Sequence, residues 1–210
     1  MITLYTWLTP NGRKVSILLE ELGISYRVQP VNLSKNEQFS PAFLMISPNN
    51  KIPALVDETE EGSISVFESG AILTYLAEKY GRFLPAFGAA RYKTLEWLYW
   101  QVGGLGPMLG QVGFFEKFSK TKSPIASARF IAEADRLLTV MDKRLAEFPF
   151  LAGEEYSIAD ISAYPWVVTA TTFLGDVLGD RMSSKPALKC WMTTIGERPA
   201  VQRGMAVPAI

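Results

Sequence analysis

Residues 1–23, MITLYTWLTPNGRKVSILLEELG, decide the fold because they join one strand to one helix through a polar turn. The first seven residues are rich in β-branched and aromatic side chains, as in a half-buried strand. Apolar residues then recur at helical spacing: Val15, Leu18, Leu19 and Leu22. Gly23 is a suitable end for this helix. The turn at residues 9–12 therefore opens a helix, whose free N–H groups can stabilise an anion or a thiolate. A structural turn that leaves Arg13 and Lys14 in solvent fits this stretch equally well.

The following segments predict one small sheet with helices on its faces. Strand patterns cover residues 26–31, 54–57 and 63–67. A short helix is predicted at residues 41–46, and a longer one begins after Ser69, its expected N-cap, and ends at Gly81. The order β-α-β-α-β-β-α contains one parallel pair and one hairpin. It is typical of an α/β thioredoxin-like domain, which we assign to residues 1–81.

Beyond a predicted linker at residues 82–89, no strand pattern persists. Residues 91–118 predict a long helix that bends at the glycine-rich segment 103–107. Three further helices are expected to open at Ser123-Pro124, at a capping box that joins Ser157 to Asp160, and at Pro186, which begins the last one. We therefore expect residues 90–210 to form an all-α domain.

Composition limits the possible partners of the chain. The 210 residues carry 21 Lys and Arg against 21 Asp and Glu, so nothing favours nucleic acid or an anionic membrane surface. The first residues lack the basic and apolar regions of a secretory signal. The uncharged run at residues 97–115 contains too many glycines and too few aliphatic residues for a membrane helix. We expect neither a nucleic-acid nor a membrane partner.

The chain has no histidine and one cysteine, Cys190. Catalysis by Ser-His-Asp or Cys-His groups is therefore excluded, as is zinc bound by histidine, and we expect no metal. A single cysteine also excludes an internal disulfide and a Cys-x-x-Cys redox pair. If this protein performs sulfur chemistry, the reactive sulfur must come with the substrate.

Four blocks in both halves of the chain carry a family resemblance. They are TPNG at residues 9–12, QFSP at 38–41, ISPNNKIPAL at 46–55 and WQVGGLGPMLGQ at 100–111. With FESGAI at 67–72, they resemble the cytosolic glutathione transferases, in particular the bacterial nu class of disulfide-bond oxidoreductases and the related fungal nitrogen-regulator-like group. The resemblance covers essentially the whole chain. It implies the glutathione transferase fold and a cytoplasmic homodimer that binds reduced or oxidised glutathione. It also implies reduction of small disulfides with glutathione and without a protein cysteine.

The resemblance assigns catalysis to Thr9 and Asn11, which would stabilise the thiolate of bound glutathione. A hydrogen bond to a charged group contributes roughly 1.5–3 kcal/mol, enough to lower a thiol pKa by about one to two units. A largely ionised thiol is the species that attacks a disulfide. Tyr5 is the competing candidate, because several transferase classes use an early tyrosine, but its place in a strand favours core packing.

Binding roles follow from the same resemblance: Asn11, Gln38, Ile52, Glu68, Ser69 and Arg129 would contact glutathione. The Ile52-Pro53 bond is expected to be cis and to present the backbone of Ile52 to the cysteinyl part. Glu68 would hold the α-ammonium of the γ-glutamyl group, and Ser69 with free N–H groups its carboxylate. Gln38 would donate to the ligand peptide, and Lys51 is a further candidate, for the glycyl carboxylate. Arg129 would reach the partner subunit's glutathione.

Two other functions remain open at this point. The same thiolate would serve conjugation of glutathione to electrophiles or reduction of organic peroxides, so the acceptor is a small disulfide or an electrophile. A non-catalytic, regulatory glutathione-binding protein is the alternative from a different class. Each binding residue also has a structural interpretation, with Ser69 as a plain N-cap and Glu68 as a charge that complements a helix dipole.

Overall fold

The structure is a computed structural model that describes residues 1–209. Its strands are β1 (Ile2–Thr6), β2 (Tyr26–Pro30), β3 (Ala54–Thr59) and β4 (Gly62–Phe67). Its helices are α1 (Pro10–Leu22), α2 (Pro41–Leu44), α3 (Ser69–Tyr80), α4 (Gly88–Trp100), α5 (Gly106–Gly113), α6 (Pro124–Glu147), α7 (Ile158–Thr171), α8 (Gly175–Ser183), α9 (Pro186–Gly196) and α10 (Pro199–Met205). Two compact units result: Met1–Ala86 with the segment that begins at Glu197, and Phe87–Gly196.

The first unit is built on a four-stranded sheet in the order β2-β1-β3-β4. β2 runs parallel to β1, as a helical crossover requires, while β3 is antiparallel to both β1 and β4. Leu4 on the central β1 pairs with Val28 and with Leu55, and both leucines are fully buried. The predicted thioredoxin-like order of strands and helices is confirmed.

α1 has the ends that its sequence predicts. Thr9 caps the N-terminus in an extended conformation, Pro10 takes the first helical position, where its missing N–H costs nothing, and Gly23 closes the helix with φ +70°. Val15 and Leu18 are fully buried. This helix fixes the place of the TPNG turn at the end of β1.

The short helix α10 was not predicted, because we expected the helix from Pro186 to be the last. It packs on α1 within the first unit, whereas the sequence-based boundaries placed all residues after 90 in the helical domain. Ser16 Oγ donates to the carbonyl oxygen of Gly204 at 2.7 Å. Two ion pairs add to this contact, one between Glu21 and Arg198, the N-cap of α10, and one between Glu20 and Arg203.

The second unit contains only helices, as predicted. The long helical stretch that begins with α4 changes to a π-helical turn at Gln101–Leu105, which is where the glycine-rich segment predicted a bend. The capping box is formed as well, since the carboxylate of Asp160 accepts from the backbone N–H of Ser157 at 3.1 Å. α8 was not predicted. Within the described residues, no helix is both long and apolar enough to cross a membrane.

Candidate functional site

A pocket of about 250 Å³ lies in the first unit, where three segments of the chain meet. Its lining comes from the start of α1, from the segment before β3, and from the junction between β4 and α3: Asn11, Lys51, Ile52, Pro53, Phe67, Glu68 and Ser69. Five of the predicted binding candidates therefore meet here, namely Asn11, Lys51, Ile52, Glu68 and Ser69. They are separated by up to 58 positions in the sequence, so only the fold brings them together.

Thr9 is held at the entrance of α1 by its capping bond. Its Oγ1 accepts from the backbone N–H of Gly12 at 3.2 Å. A threonine hydroxyl can accept and donate at the same time, so this bond leaves its proton for another acceptor. Gly12 is needed here, because a Cβ atom would contact Thr6 Oγ1 and lie 2.7 Å from the carbonyl oxygen of Trp7. Asn11, two residues after Thr9, lines the pocket.

The Ile52-Pro53 peptide bond is cis, as predicted. The side chain of Ile52 is buried in a small apolar cluster with Val31 and Phe43. Within residues 1–209, the backbone N–H and C=O of Ile52 make no hydrogen bond to the rest of the chain. Because the Ile52 side chain is buried and its backbone groups are unpaired, an extended peptide ligand could form strand-like hydrogen bonds with this segment before β3.

Glu68 has a backbone conformation that residues other than glycine rarely adopt, with φ +71° and ψ 119°. It occupies the N-cap position of α3, and its exposed side chain makes no capping bond. The prediction of Ser69 as N-cap was wrong by one position, since Ser69 is the first residue of the helix. With Glu68 in the N-cap position, the helix starts one residue earlier than the capping pattern indicates. Such strain persists where the surrounding structure enforces it, often at a binding site.

Lys14 is the site residue that sequence reasoning missed. One of the two interpretations of the TPNG turn left Lys14 in solvent, but it is almost completely buried, and its Nζ lies 3.3 Å from Ser69 Oγ. Burial lowers the pKa of Lys14 to about 7, against the charge of Glu68, which raises it. The available signal was spacing, because Lys14 precedes the buried Leu18 by four residues and so shares its face of α1.

Gln38 is not among the residues that line the pocket. It lies in the polar segment before α2, half-buried, and its Oε1 atom is buried with no hydrogen-bond partner among the described residues. A buried acceptor without a partner requires an explanation. Its predicted contact with the ligand peptide stays a prediction.

Arg129 belongs to the second unit, where it is exposed on α6. Its predicted reach to the partner subunit's glutathione stays a prediction. Cys190 is exposed on α9 of the same unit. In the part of the chain that the structure describes, no cluster of acidic, cysteine or histidine side chains could hold a metal ion.

Tyr5, the competing catalytic candidate, lies on β1 and is half-buried. Its ring packs against Phe43 with the centroids 6.3 Å apart. It adjoins the apolar cluster of Ile52. This environment favours the core-packing interpretation.

Two family models match the chain. The model for the glutathione S-transferase N-terminal domain covers residues 1–78, and the model for the glutathione S-transferase C-terminal domain covers residues 124–193. The first match spans the segments that form the pocket.

Individual proteins match over almost the full length. The disulfide-bond oxidoreductase YfcG of Escherichia coli K12 is 48% identical over 98% of this chain and 94% of its own. A glutathione transferase family member from Pseudomonas fluorescens pf-5, crystallised with two glutathione bound, has a TM-score of 0.94 and 45% identity over 99% of this chain and 93% of its own. A glutathione transferase from Pseudomonas putida, with one glutathione disulfide bound per subunit, has a TM-score of 0.93 and 43% identity over 99% of this chain and 91% of its own.

Proposed function

Because this chain belongs to the glutathione transferase family, we propose that it is a glutathione-dependent disulfide-bond reductase. One observation carries the proposal: the pocket joins an unpaired strand-like backbone at Ile52 to a helix N-terminus at Ser69, and no cysteine or histidine lines it. The site is thus suited to hold a peptide thiol and holds no thiol of its own. The names and bound ligands of the relatives support this function.

Glutathione fits the donors and acceptors of the pocket in one direction. The exposed carboxylate of Glu68 pairs with the α-ammonium of the γ-glutamyl group, and Ser69 with the first N–H groups of α3 holds the neighbouring carboxylate. The backbone of Ile52 pairs with the cysteinyl residue. Lys51, at the other end, donates to the glycyl carboxylate. This order directs the cysteinyl sulfur toward the start of α1.

At the start of α1, Thr9 and Asn11 stabilise the thiolate. The hydroxyl proton of Thr9 and the side-chain amide of Asn11 are donors of the kind that lower a thiol pKa, and the helix N-terminus adds a partial positive charge. The thiolate attacks one sulfur of the acceptor disulfide, so that a mixed disulfide forms and the other sulfur leaves as a thiolate. A second glutathione thiolate then attacks the mixed disulfide. The products are oxidised glutathione and two acceptor thiols.

The functional assembly that we propose is a homodimer. Its support is the resemblance to dimeric glutathione transferases and the exposed Arg129, which the resemblance assigns to the partner subunit's glutathione. A reductase of this kind consumes reduced glutathione, and we therefore place it in the cytoplasm, where glutathione is kept reduced. Sedimentation of the protein at several concentrations measures the assembly.

A glutathione-coupled assay with a hydroxyethyl disulfide tests the proposed activity. We expect turnover that depends on both substrates and persists in Cys190→Ser. The matched panel contains an aryl halide for conjugation and cumene hydroperoxide for peroxide reduction. Turnover of the panel compounds alone would favour a transferase or peroxidase, and tight glutathione binding without any turnover would favour a regulatory protein.

A further inference from the structure

Lys14 is a buried cation next to the pocket. Only 1% of its surface is exposed, although lysine is almost never fully buried without a charged or polar partner. Its Nζ lies 3.3 Å from the Oγ atom of Ser69, and this oxygen belongs to a side chain that lines the pocket. The contact joins Lys14 on α1 to Ser69, the first residue of α3, and these two residues lie 55 positions apart in the sequence.

The chemistry of this contact gives the Ser69 hydroxyl a direction. An ammonium group only donates, so Ser69 Oγ must be the acceptor of the bond from Lys14. The hydroxyl proton is then available to a second acceptor, and the pocket is the space that Ser69 lines. A hydroxyl polarised by a cation is a better donor to an anion than one that only caps a helix.

Lys14 also supplies charge to the pocket. Burial lowers the pKa of Lys14 to about 7. The negative charge of Glu68, at the N-cap of α3, attracts the ammonium and partly offsets this effect by raising the pKa. Other charged side chains on the elements that pack against α1 have partners of their own. Arg198, the N-cap of α10, pairs with Glu21, and Arg203 on α10 pairs with Glu20. Lys79, in the last turn of α3, pairs with Asp57. Tyr5 on β1 packs against Phe43.

We propose that Lys14 is a positioning residue in the glutathione site. It orients the hydroxyl of Ser69 toward the γ-glutamyl carboxylate, and its positive charge, on the side of Ser69 away from the ligand, balances the negative charge of that carboxylate. This inference rests on the proposed function and deepens its binding site. Glu68 holds the ammonium of the γ-glutamyl group, and Lys14 acts through Ser69 on the carboxylate. The two opposite charges of the protein thus match the two opposite charges of one amino-acid head group.

Binding of two ligands to Lys14→Met tests the proposal. The ligands are S-methylglutathione, which has no titrating thiol, and the same compound without its γ-glutamyl carboxylate. At about pH 6.5 we expect calorimetry to show that the variant weakens S-methylglutathione binding by about tenfold or more, the range of a lost hydrogen bond to a charged group. Binding of the decarboxylated compound should change little. Lys35→Met, an exposed lysine of the same unit, is the matched control.

Proton uptake provides a readout that a purely structural lysine would not change. At about pH 8 much of the free Lys14 is neutral, and a carboxylate that needs its charge must draw a proton from the buffer. Calorimetry in two buffers of different ionisation heat should therefore detect uptake by the wild type with S-methylglutathione. The uptake should be absent with the decarboxylated compound and in the variant. This comparison of two ligands on the wild type stands even if the variant does not fold.

Four outcomes would overturn the proposal. Equal losses for both ligands would make Lys14 a structural residue. An unchanged affinity, or equal proton uptake with both ligands, would remove its role toward the carboxylate while the proposed function stands. Failure of the wild type to bind S-methylglutathione at any pH would overturn the proposed function together with this inference.

Discussion

Ser16 Oγ donates a 2.7 Å hydrogen bond to the carbonyl oxygen of Gly204, and so ties α10 to the middle of α1. The two helices approach so closely that a Cβ atom on Gly204 would lie 2.5 Å from the Cα of Ile17. Glycine is required at this position by the contact itself. The start of α1 carries Thr9, Asn11 and Lys14, so the end of the chain supports the helix on which the site is built.

Gly204→Ala should destabilise the protein, because the methyl group meets the backbone of Ile17 and α10 must shift. Overpacking of this kind costs about 1–3 kcal/mol in the free energy of unfolding. Gly179→Ala, in the interior of α8, is the control, since a Cβ there meets nothing within 4 Å and should be neutral or stabilising. Urea unfolding of both variants measures the difference. Equal stabilities would contradict the close packing of α10.

Glu68→Gly should change stability and binding in opposite directions. Glycine adopts φ +71° without strain, so the free energy of unfolding should rise by about 1 kcal/mol. The loss of the carboxylate should raise the KM for glutathione about tenfold or more, since charge-assisted hydrogen bonds are strong. The control is Glu61→Gly in the hairpin turn, which should not change the KM. A KM that stays unchanged in Glu68→Gly would remove this residue from the site.

Asp57→Asn should lower stability in a pH-dependent way. Burial alone would raise the pKa of Asp57, but hydrogen bonds from Lys79 and Tyr75 outweigh it, so the pKa lies below its usual value. A depressed folded-state pKa stabilises the protein above the unfolded pKa, near 4, and this contribution disappears as the pH falls through the folded-state value. At pH 7 we expect a loss of about 1–3 kcal/mol, and at about pH 3 a much smaller one.

The control for this pair is Asp176→Asn, whose exposed carboxylate pairs with Lys117 on the surface of the second unit. A surface ion pair contributes little to stability, so its loss should have a small effect at every pH. Thermal unfolding between about pH 3 and pH 7 compares the two variants. A loss in Asp57→Asn that does not depend on pH would contradict the role of its charge.

Local patterns predicted the elements whose signals lie within a few residues. The apolar spacing and the closing Gly23 located α1, and the capping box located the start of α7. The four motif blocks identified Asn11 and Ile52, which the pocket brings together. These features depend on the neighbours in sequence, so they are visible without a structure.

The missed features depend on distant partners. α10 has seven residues, too few for a clear periodicity, and its place is set by contact with α1. The burial of Lys14 depends on Ser69 and Glu68 on another segment, which local spacing does not contain. The start of α3 was displaced by the positive φ of Glu68, a conformation that no propensity of glutamate predicts.

The ionisation of the bound thiol is the most direct test of whether Thr9 and Asn11 stabilise a glutathione thiolate. Ultraviolet absorbance of the thiolate should be followed against pH for glutathione bound to Cys190→Ser, in which the ligand holds the only thiol. We predict a pKa about one to two units below that of free glutathione, a shift that decreases in Thr9→Ala and is retained in Thr9→Ser. A bound thiol that titrates like free glutathione, or a loss of turnover in Cys190→Ser, would contradict the account.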